Sequence, residues 1–582
     1  MTEYAGILSL QTARMRTVGR LAGRLAAILM LLVAAGARAE AASPECPPPG
    51  EDYAPFYQDA GLFEAAIGKV ADYQPSNVKL SGVTVPHHLL ADRLVALGMK
   101  AASGFSYKRI VILSPDHFRR SVKPFATTAR GFRTVLGRVG TDKDAVGRLL
   151  AASDLVEESC LFDRDHGVRA LLPFVHHYFP QALVVPVAIS IKSRRSDWDA
   201  LGEALAPLLD DDTLVLESTD FSHYLPQHAA RLRDQQTLNV IASGSLDQLT
   251  MLGQPGHLDS LGALYVQMRV QQAVYGAAPL VIANDNAQQY EAKTSESTTS
   301  YMVILFGRLG PEHNDPSPAN VAIYYLAGDT NFGRSMKRAL LDAESADRVA
   351  EEVLRRTKGR PLVVNLEGVI LPNVPQAIDD MTLAMPEDLT VAWLERLNVV
   401  GAGLANNHAM DLGPSGYAET TRALDSGGIR WFGQGDVLDL PGLDIVGLSD
   451  LDTNGSPQVD LVTEALLDRL IREDGERPVV AFVHWGREYA AEPSEREREL
   501  ADKMRLRSVT AIVGAHPHVA SEGVVAHGGG DTAEIYSLGN FLFDQTAGRG
   551  SSGQLVELRV FKQGTVFVRT LELPNLFDLA KP

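Results

Sequence analysis

Apolar residues in this chain fall into short β-branched runs separated by longer stretches with helical periodicity. VAIYYLAGD (Val321 to Asp329), PLVVNLEG (Pro361 to Gly368), VVGAGLANNH (Val399 to His408), PVVAFVHWG (Pro478 to Gly486) and AIVGAHPH (Ala511 to His518) lack polar alternation in their apolar part, the pattern of strands buried on both faces. ADRLVALGMKAA (Ala91 to Ala102) reads as a helix, and Ser494 and Glu497 have capping-box spacing, so a second helix should begin just after Ser494. The alternation predicts a layered α/β architecture in two regions. The first runs from residue 53 to 310, ending in VILFGRLG, and the second from 321 to 575. Between them PEHNDPSPAN (Pro311 to Asn320) has three prolines and no apolar periodicity, the composition of a linker. No repeat of roughly 20 to 50 residues is visible, so the two halves read as different modules.

The apolar runs of the second region share one feature: each delivers oxygen or nitrogen donors to the loop after it. Their tips carry Asp329 and Asn331, Asn365 and Glu367, Asn406, Asn407 and His408, then His484, then His516 and His518, while EIYSLGN ends in Asn540. In α/β sheets, ligands bind beyond the carboxyl ends of strands. Carboxylate, amide oxygen and imidazole together suit a divalent cation such as Mn, Fe or Zn. Taken singly, a His-x-His tip is as readily a solvated loop, and an Asn a turn former. Six tips together favour a metal centre, holding one cation or two. The first region repeats the theme with His87 and His88 in VTVPHHLLAD, Asp116 and His117 in VILSPDHF, Asp165 and His166 in DRDHGVRALLPF, and Asp220 and His223 in LVLESTDFSHY. His88, His176, His177 and His228 pick out no shared pocket and read as surface residues.

Bulk properties narrow the picture. The 582 residues are too many for one hydrophobic core. The net charge of -18 argues against a nucleic-acid binder, so an anionic ligand must be held by local groups. Arg14, Arg16, Arg20 and Arg24 precede the apolar LAAILMLLVAAGA (Leu25 to Ala37), and Ala37-Arg38-Ala39 is a small-x-small site. Residues 1 to 39 therefore read as a cleaved secretory signal, too short to span a bilayer, followed by a Pro-rich leader over 40 to 52. Met15 would give a shorter signal of the same type. This predicts a periplasmic or extracellular protein with no stable membrane span. Cys46 and Cys160 are the only cysteines, and a disulfide and two free thiols are both open readings.

GDTNFGR, NLEG, LANNHAMDLGPSGYAETTRALDSGGI, HWGREY, GAHPH and YSLGNFLFD, in this order, resemble the CapA (poly-gamma-glutamate capsule biosynthesis) family, which is similar to the calcineurin-like metallophosphoesterases. The resemblance implies an αββα sandwich with metal ligands on loops. Asp329, Asn407, His408, His484, His516 and His518 match metallophosphoesterase ligand positions. Asn331 stands where a His is usual, and Glu367 where a bridging Asp is usual. On this reading Asp329, Asn331, Glu367, Asn407, His408, His484, His516 and His518 hold metal. Catalysis involves Asp329 and His408, with His408 protonating a leaving group and Arg487 and Arg334 orienting an anionic substrate. The alternative for both arginines is a surface ion pair.

The first-region segments resemble the Memo-like family, also called AmmeMemoRadiSam system protein B, which is similar in fold to class III extradiol dioxygenases. The resemblance implies a second metal pocket, with His87, His117, Asp220 and His223 as ligands and His166 facing it. The family's cysteine is absent from LTMLGQPGHLDSLGAL, and His257 or Asp259 takes its place. Replacing thiolate by imidazole or carboxylate makes the site harder. Together the resemblances imply an exported envelope protein, with a metal-dependent phosphoesterase or hydrolase module serving capsule or related polymer synthesis and acting on an anionic polymer or phosphoester. Two other readings stand beside it: a non-catalytic scaffold of an export system, and an iron-dependent dioxygenase in the first module.

Overall fold

The computed structural model describes Cys46, Pro48 and residues 50–290, 296–379, 381–451, 461–470, 477–545 and 553–581. The expected signal peptide lies outside the described residues, as does much of the leader. Among the described residues no helix is long and apolar enough to cross a membrane. Neither cysteine is a free thiol; both are disulfide-bonded.

The first module is built on one nine-stranded sheet. Its strands are β1 (Gly82–Val85), β2 (Arg109–Pro115), β3 (Phe125–Thr127), β4 (Val156–Glu158), β5 (Leu183–Ile189), β6 (Thr213–Ser218), β7 (His223–Leu225), β8 (Ala278–Asn286) and β9 (Thr298–Gly307). They lie in the order β8-β9-β1-β6-β2-β5-β3-β4, with β7 pairing with β9. The central strands β1, β6, β2 and β5 are parallel neighbours and buried almost throughout, as their uninterrupted apolar runs require. The helix Asp92–Ala102 lies directly on this sheet: a Cβ at Gly98 would come within 2.3 Å of the Val85 side chain.

The second module contains two six-stranded sheets. One holds β10 (Ala322–Thr330), β11 (Leu362–Leu366), β12 (Val399–Gly403) and β13 (Arg430–Phe432); the other holds β14 (Val437–Leu440), β15 (Leu443–Ser449), β16 (Val479–His484), β17 (Ala511–Ala515), β18 (Val525–Ala526) and β19 (Ala533–Ile535); β20 (Gly553–Val560) and β21 (Val566–Leu573) complete the first. Their orders are β13-β12-β11-β10-β20-β21 and β14-β15-β16-β17-β19-β18. Leu326, Val363, Val556 and Val568 of one sheet meet Ile445, Val480, Phe482 and Val513 of the other in a common core. Helices cover the outer faces. Val349, Val353, Trp393 and Leu424 pack on the first sheet, and Leu500 and Met504 on the second. This is the expected αββα sandwich. The helix Glu495–Arg505 starts after Ser494, with the expected capping box to Glu497.

From Gly50 onward the chain packs as one compact unit, and two features join its modules. The helix Gln227–Ser243 packs against β8 and β9 on one side and against β21, β18 and β19 on the other. The segment between the modules is anchored by charge: Asp315 Oδ1 lies 3.1 Å from the Arg559 guanidinium, which also pairs with Glu557 at 2.5 Å; Arg559 and Glu557 are buried and the Asp315 side chain is 6% exposed. Loss of one partner from such a network leaves an uncompensated buried charge. The expected spacer is therefore a packed strut.

Candidate metal centres

Parallel strands β10 and β11, paired Asp329 to Asn365, and β16 and β17 from the facing sheet end at one place. Asp329, Glu367 and His484 are all buried, with ligand atoms within 4.8 Å of one another. Asn365 sits among them. Its amide donates to Asp329 Oδ1 at 2.8 Å and Glu367 Oε1 at 3.2 Å, and lies 3.1 Å from His484 Nδ1. His484 Nε2 faces Asn407 Oδ1 at 2.9 Å and Glu367 Oε1 at 3.4 Å.

Asp329 uses its other oxygen toward a second group. His518 Nδ1 lies 2.9 Å from Asp329 Oδ2 and 2.8 Å from Asn540 Oδ1. Both neighbours are acceptors, so Nδ1 carries the proton and only Nε2 remains to bind a cation. The backbone N–H of His516 donates to Asp329 as well, at 3.2 Å. The His516 ring lies 4.9 Å from that of His484 and 6.0 Å from that of His518. His516 and His518 both hold positive φ, 95° and 57°, a conformation uncommon for non-glycine residues and concentrated at functional sites.

Burial raises the Asp329 carboxyl, yet His518 and His484 outweigh it and hold the group below the usual carboxylate range. Burial and the neighbouring Asp329 charge push Glu367 well above its ordinary value. The two carboxyls therefore share one proton, as closely placed acids must. Burial lowers His516 to about 4 and, with help from His516, lowers His484 as well. Burial would lower His518 too, but Asp329 and Asn540 raise it. The lowered imidazoles of His484 and His516, the Asp329 carboxylate and the raised Glu367 carboxyl form a donor set that fits a divalent cation.

The other sequence candidates fall beside this cluster. His408 is held through Nδ1 by Asp411 at 2.9 Å, leaving Nε2 free, and it is near enough to His484 and His516 to lower both. A cavity of about 290 Å³ lined by Leu404, Ala405, Met410 and Tyr417 opens next to it. Asn331 departs from the expected ligand role. Its amide donates to the Glu367 carbonyl at 2.6 Å and its oxygen accepts from Gly333 N–H at 2.8 Å, so both ends close the loop. Arg334 pairs with Asp544 and lies over Phe543, the ion-pair alternative. Arg487 is exposed on the loop after β16.

The first module gathers a second cluster. His87 and His117 present Nε2 to each other at 3.0 Å, while their Nδ1 atoms are occupied by Ser218 at 3.1 Å and Asp165 at 2.8 Å. Two ring nitrogens so oriented leave room for one shared proton or one cation. Asp259 Oδ2 lies 3.2 Å from His87 Nε2 and 3.7 Å from His117 Nε2. Both Asp259 oxygens are buried without a hydrogen-bond donor, a pattern that a cation would resolve. Asp220 Oδ2 is 3.6 Å from His87 Nε2, and the His166 ring stacks on His117 at 4.1 Å. Burial would lower His117, but Asp165 and Asp259 push it up to about 10. Burial and the two neighbouring imidazoles lower His166 to about 4.

His257 is a correction: of the two candidates, Asp259 joins the cluster and His257 does not. His257 accepts from Gly253 N–H at 3.0 Å through Nδ1, and Nε2 faces Gln236 at 2.8 Å, away from the cluster. His223 also stays outside the groups of close ligand atoms found among the described residues. Its neighbour Asp220 belongs, and Asp220 and Asp259 are tied by backbone pairing, since Asp259 N–H donates to the Asp220 carbonyl at 3.0 Å. Asp259 was legible only as the alternative to His257, and Asn365 only as one more strand tip.

Comparison with known proteins agrees with both halves. The family model of the Memo-like protein matches residues 63–301, and that of the bacterial capsule synthesis protein PGA_cap matches 324–440 and 451–545. The PGA biosynthesis protein CapA of Bacillus subtilis (strain 168) is 29% identical over 263 residues, 41% of this chain and 68% of that protein. The capsule biosynthesis protein CapA of Bacillus anthracis is 27% identical over 276 residues, 43% of this chain and 66% of that protein. The chain thus spans about two thirds of the length of these two relatives. A MEMO1 family protein of Pyrobaculum arsenaticum is 25% identical over 253 residues, 40% of this chain and 84% of that protein. The chain therefore joins a Memo-like module to a bacterial capsule synthesis protein PGA_cap module, in that order.

Proposed function

We propose that this is an exported protein of envelope polymer synthesis, capsule or a related anionic polymer, whose second module hydrolyses a phosphoester or similar anionic bond with a divalent cation. The observation that carries this is the buried meeting of Asp329, Glu367 and His484 at the ends of strands from two facing sheets. Asp329, Glu367 and His484 would hold a cation, with His516, His518 through Nε2, and Asn407 around it. Such a cation supplies Lewis acidity toward an anionic oxygen and an acidified water. Asn365 keeps the two carboxyls and His484 in register through its three contacts. Asp411 fixes the His408 ring so that Nε2 can give a proton to a departing oxygen. The exposed Arg487 supplies a charge that a phosphate-bearing chain can meet from solution.

A second reading concerns the first module. His87, His117 and Asp259 form a two-histidine, one-carboxylate set, the donor combination of non-haem iron oxygenases. His166, neutral and stacked on His117, would accept a proton there.

The test is metal analysis of the purified mature chain together with release of product from a generic phosphodiester. His484→Ala should lose one cation, and His408→Ala should keep its metal while turnover falls ~10²- to 10⁴-fold. Equal product release by wild type and His408→Ala, or no bound metal, would leave a scaffold protein instead. Oxygen uptake that depends on His117 would establish the second reading.

A further inference from the structure

The two carboxylates of the first-module cluster stand on two loops, and each loop is tied to the second module by its own chain of hydrogen bonds. The first chain runs through Asp234 on the helix Gln227–Ser243. This fully buried carboxylate accepts from Ser222 Oγ at 2.5 Å, Ser300 Oγ at 2.6 Å and Gln563 Nε2 at 3.0 Å. Ser222 lies two residues after Asp220, while Gln563 belongs to the turn between β20 and β21 of the other module. Gln563 and Thr565 also donate to the Asn284 oxygen, Thr565 at 2.7 Å.

The second chain starts at Asp531, in the turn between β18 and β19. Asp531 Oδ1 accepts from Gln236 Nε2 at 2.5 Å, and Gln236 Oε1 lies 2.8 Å from His257 Nε2. Since His257 Nδ1 accepts from Gly253, its Nε2 bears the hydrogen and donates to Gln236. His257 is two residues before Asp259, and the bridge between Leu258 and Phe221 locks the two carboxylate loops together. One helix thus reaches from the second module to both loops by different side chains, Asp234 and Gln236.

We propose that Gln563 and Asp531 of the capsule-synthesis module are positioning residues for the cation site of the Memo-like module, acting through Asp234 and Gln236 to aim Asp220 and Asp259. This rests on reading the His87–His117–Asp259 cluster as a cation site. Groups that orient a metal ligand from behind typically change affinity 10- to 100-fold when removed. The seam supplies its own control. Gln235, on the same helix, pairs with both the N–H and the carbonyl of Val566 at 2.8 Å but leads to neither loop. Cutting it weakens the contact between modules without touching the aim of the carboxylates.

The experiment is Co(II) titration of the full chain, followed by its visible absorption, with the first-module signal defined as the part lost in His117→Ala. Gln563→Leu and Asp531→Ala should each weaken that signal's apparent affinity ~10-fold or more, and Asp531→Asn, which retains the accepting oxygen, should restore it. Gln235→Ala should leave it as in wild type, and the signal lost in His484→Ala should be unchanged throughout. Wild-type affinity in Gln563→Leu and Asp531→Ala, or an equal loss in Gln235→Ala, would overturn the proposal while leaving the cation site standing. Absence of any His117-dependent signal would remove the cation site itself, and the proposal with it.

Discussion

The two centres draw on the same side-chain types but distribute their protons differently. In the first module, burial is outweighed by Asp220 and Asp259 at His87, and by Asp165 and Asp259 at His117, so both imidazoles are raised while Asp259 is held low. In the second module the imidazoles of His484 and His516 are lowered, while Glu367 is raised and His518, which burial would lower, is raised by Asp329. The difference follows from which partner is paired. His87 and His117 meet carboxylates that stay charged, as His518 does at Asp329, whereas the carboxyl beside His484 is Glu367, which itself faces a like charge and is raised. A cation entering the first site must replace a proton on nitrogen; one entering the second must replace a proton on oxygen. Ligand type alone therefore does not tell how a site will respond to pH, because hydrogen-bond partners decide where the proton rests.

The strongest way to break the comparison is to remove the one group that faces both halves of the second centre. Asp329→Ala should abolish the cation of that centre, lowering affinity by more than the ~10- to 100-fold typical of supporting groups, with metal content of the first centre unchanged in the same sample. Loss from both would mean that the two are one system. A smaller and sharper test exchanges donors. Asp259→Cys replaces the carboxylate by a thiolate and should shift the first centre's preference toward soft cations such as Zn(II) over Mn(II). Competition between the two cations measures this, and an unchanged preference would place Asp259 outside the ligand set.

The sequence was most legible where chemistry sits at the end of a regular element. Asp329, His484 and His516 follow uninterrupted apolar runs, so the strand pattern brought them to one edge and showed a layered α/β architecture, while the αββα sandwich came from the family resemblance and the capping box at Ser494 from the spacing to Glu497. Legibility failed where a side chain's partner is set by loop geometry. His257 and Asp259 are two residues apart, and nothing in their spacing says that Gly253 and Gln236 turn the imidazole away while the Phe221–Leu258 bridge turns the carboxylate in. Asn331 was misread for a similar reason: a strand-tip amide serves a loop as well as a cation, and here Gly333 and the Glu367 carbonyl take both its ends. The packed strut at Asp315 was invisible because its partner Arg559 lies far along the chain on β20.

The smallest expected effect is a proton count, and it bears on the same contrast. Burial and Asp329 push Glu367 well above its ordinary value, so in its protonated form it can serve a cation only by expelling its proton. Raising the pH removes this competition, and a one-proton linkage strengthens binding about tenfold per pH unit until Glu367 ionises unaided. Titration calorimetry in two buffers of different ionisation heat reads the protons released per cation. Glu367→Gln keeps the shape of the group and has no proton to lose, so release at the second centre should fall by about one, and the pH slope of its affinity should flatten. The protons that leave His87 and His117 at the first centre should be unaffected. Should Glu367→Gln release as many protons as wild type, the proton of the second centre does not rest on Glu367, and the two centres would lose the distinction drawn between them.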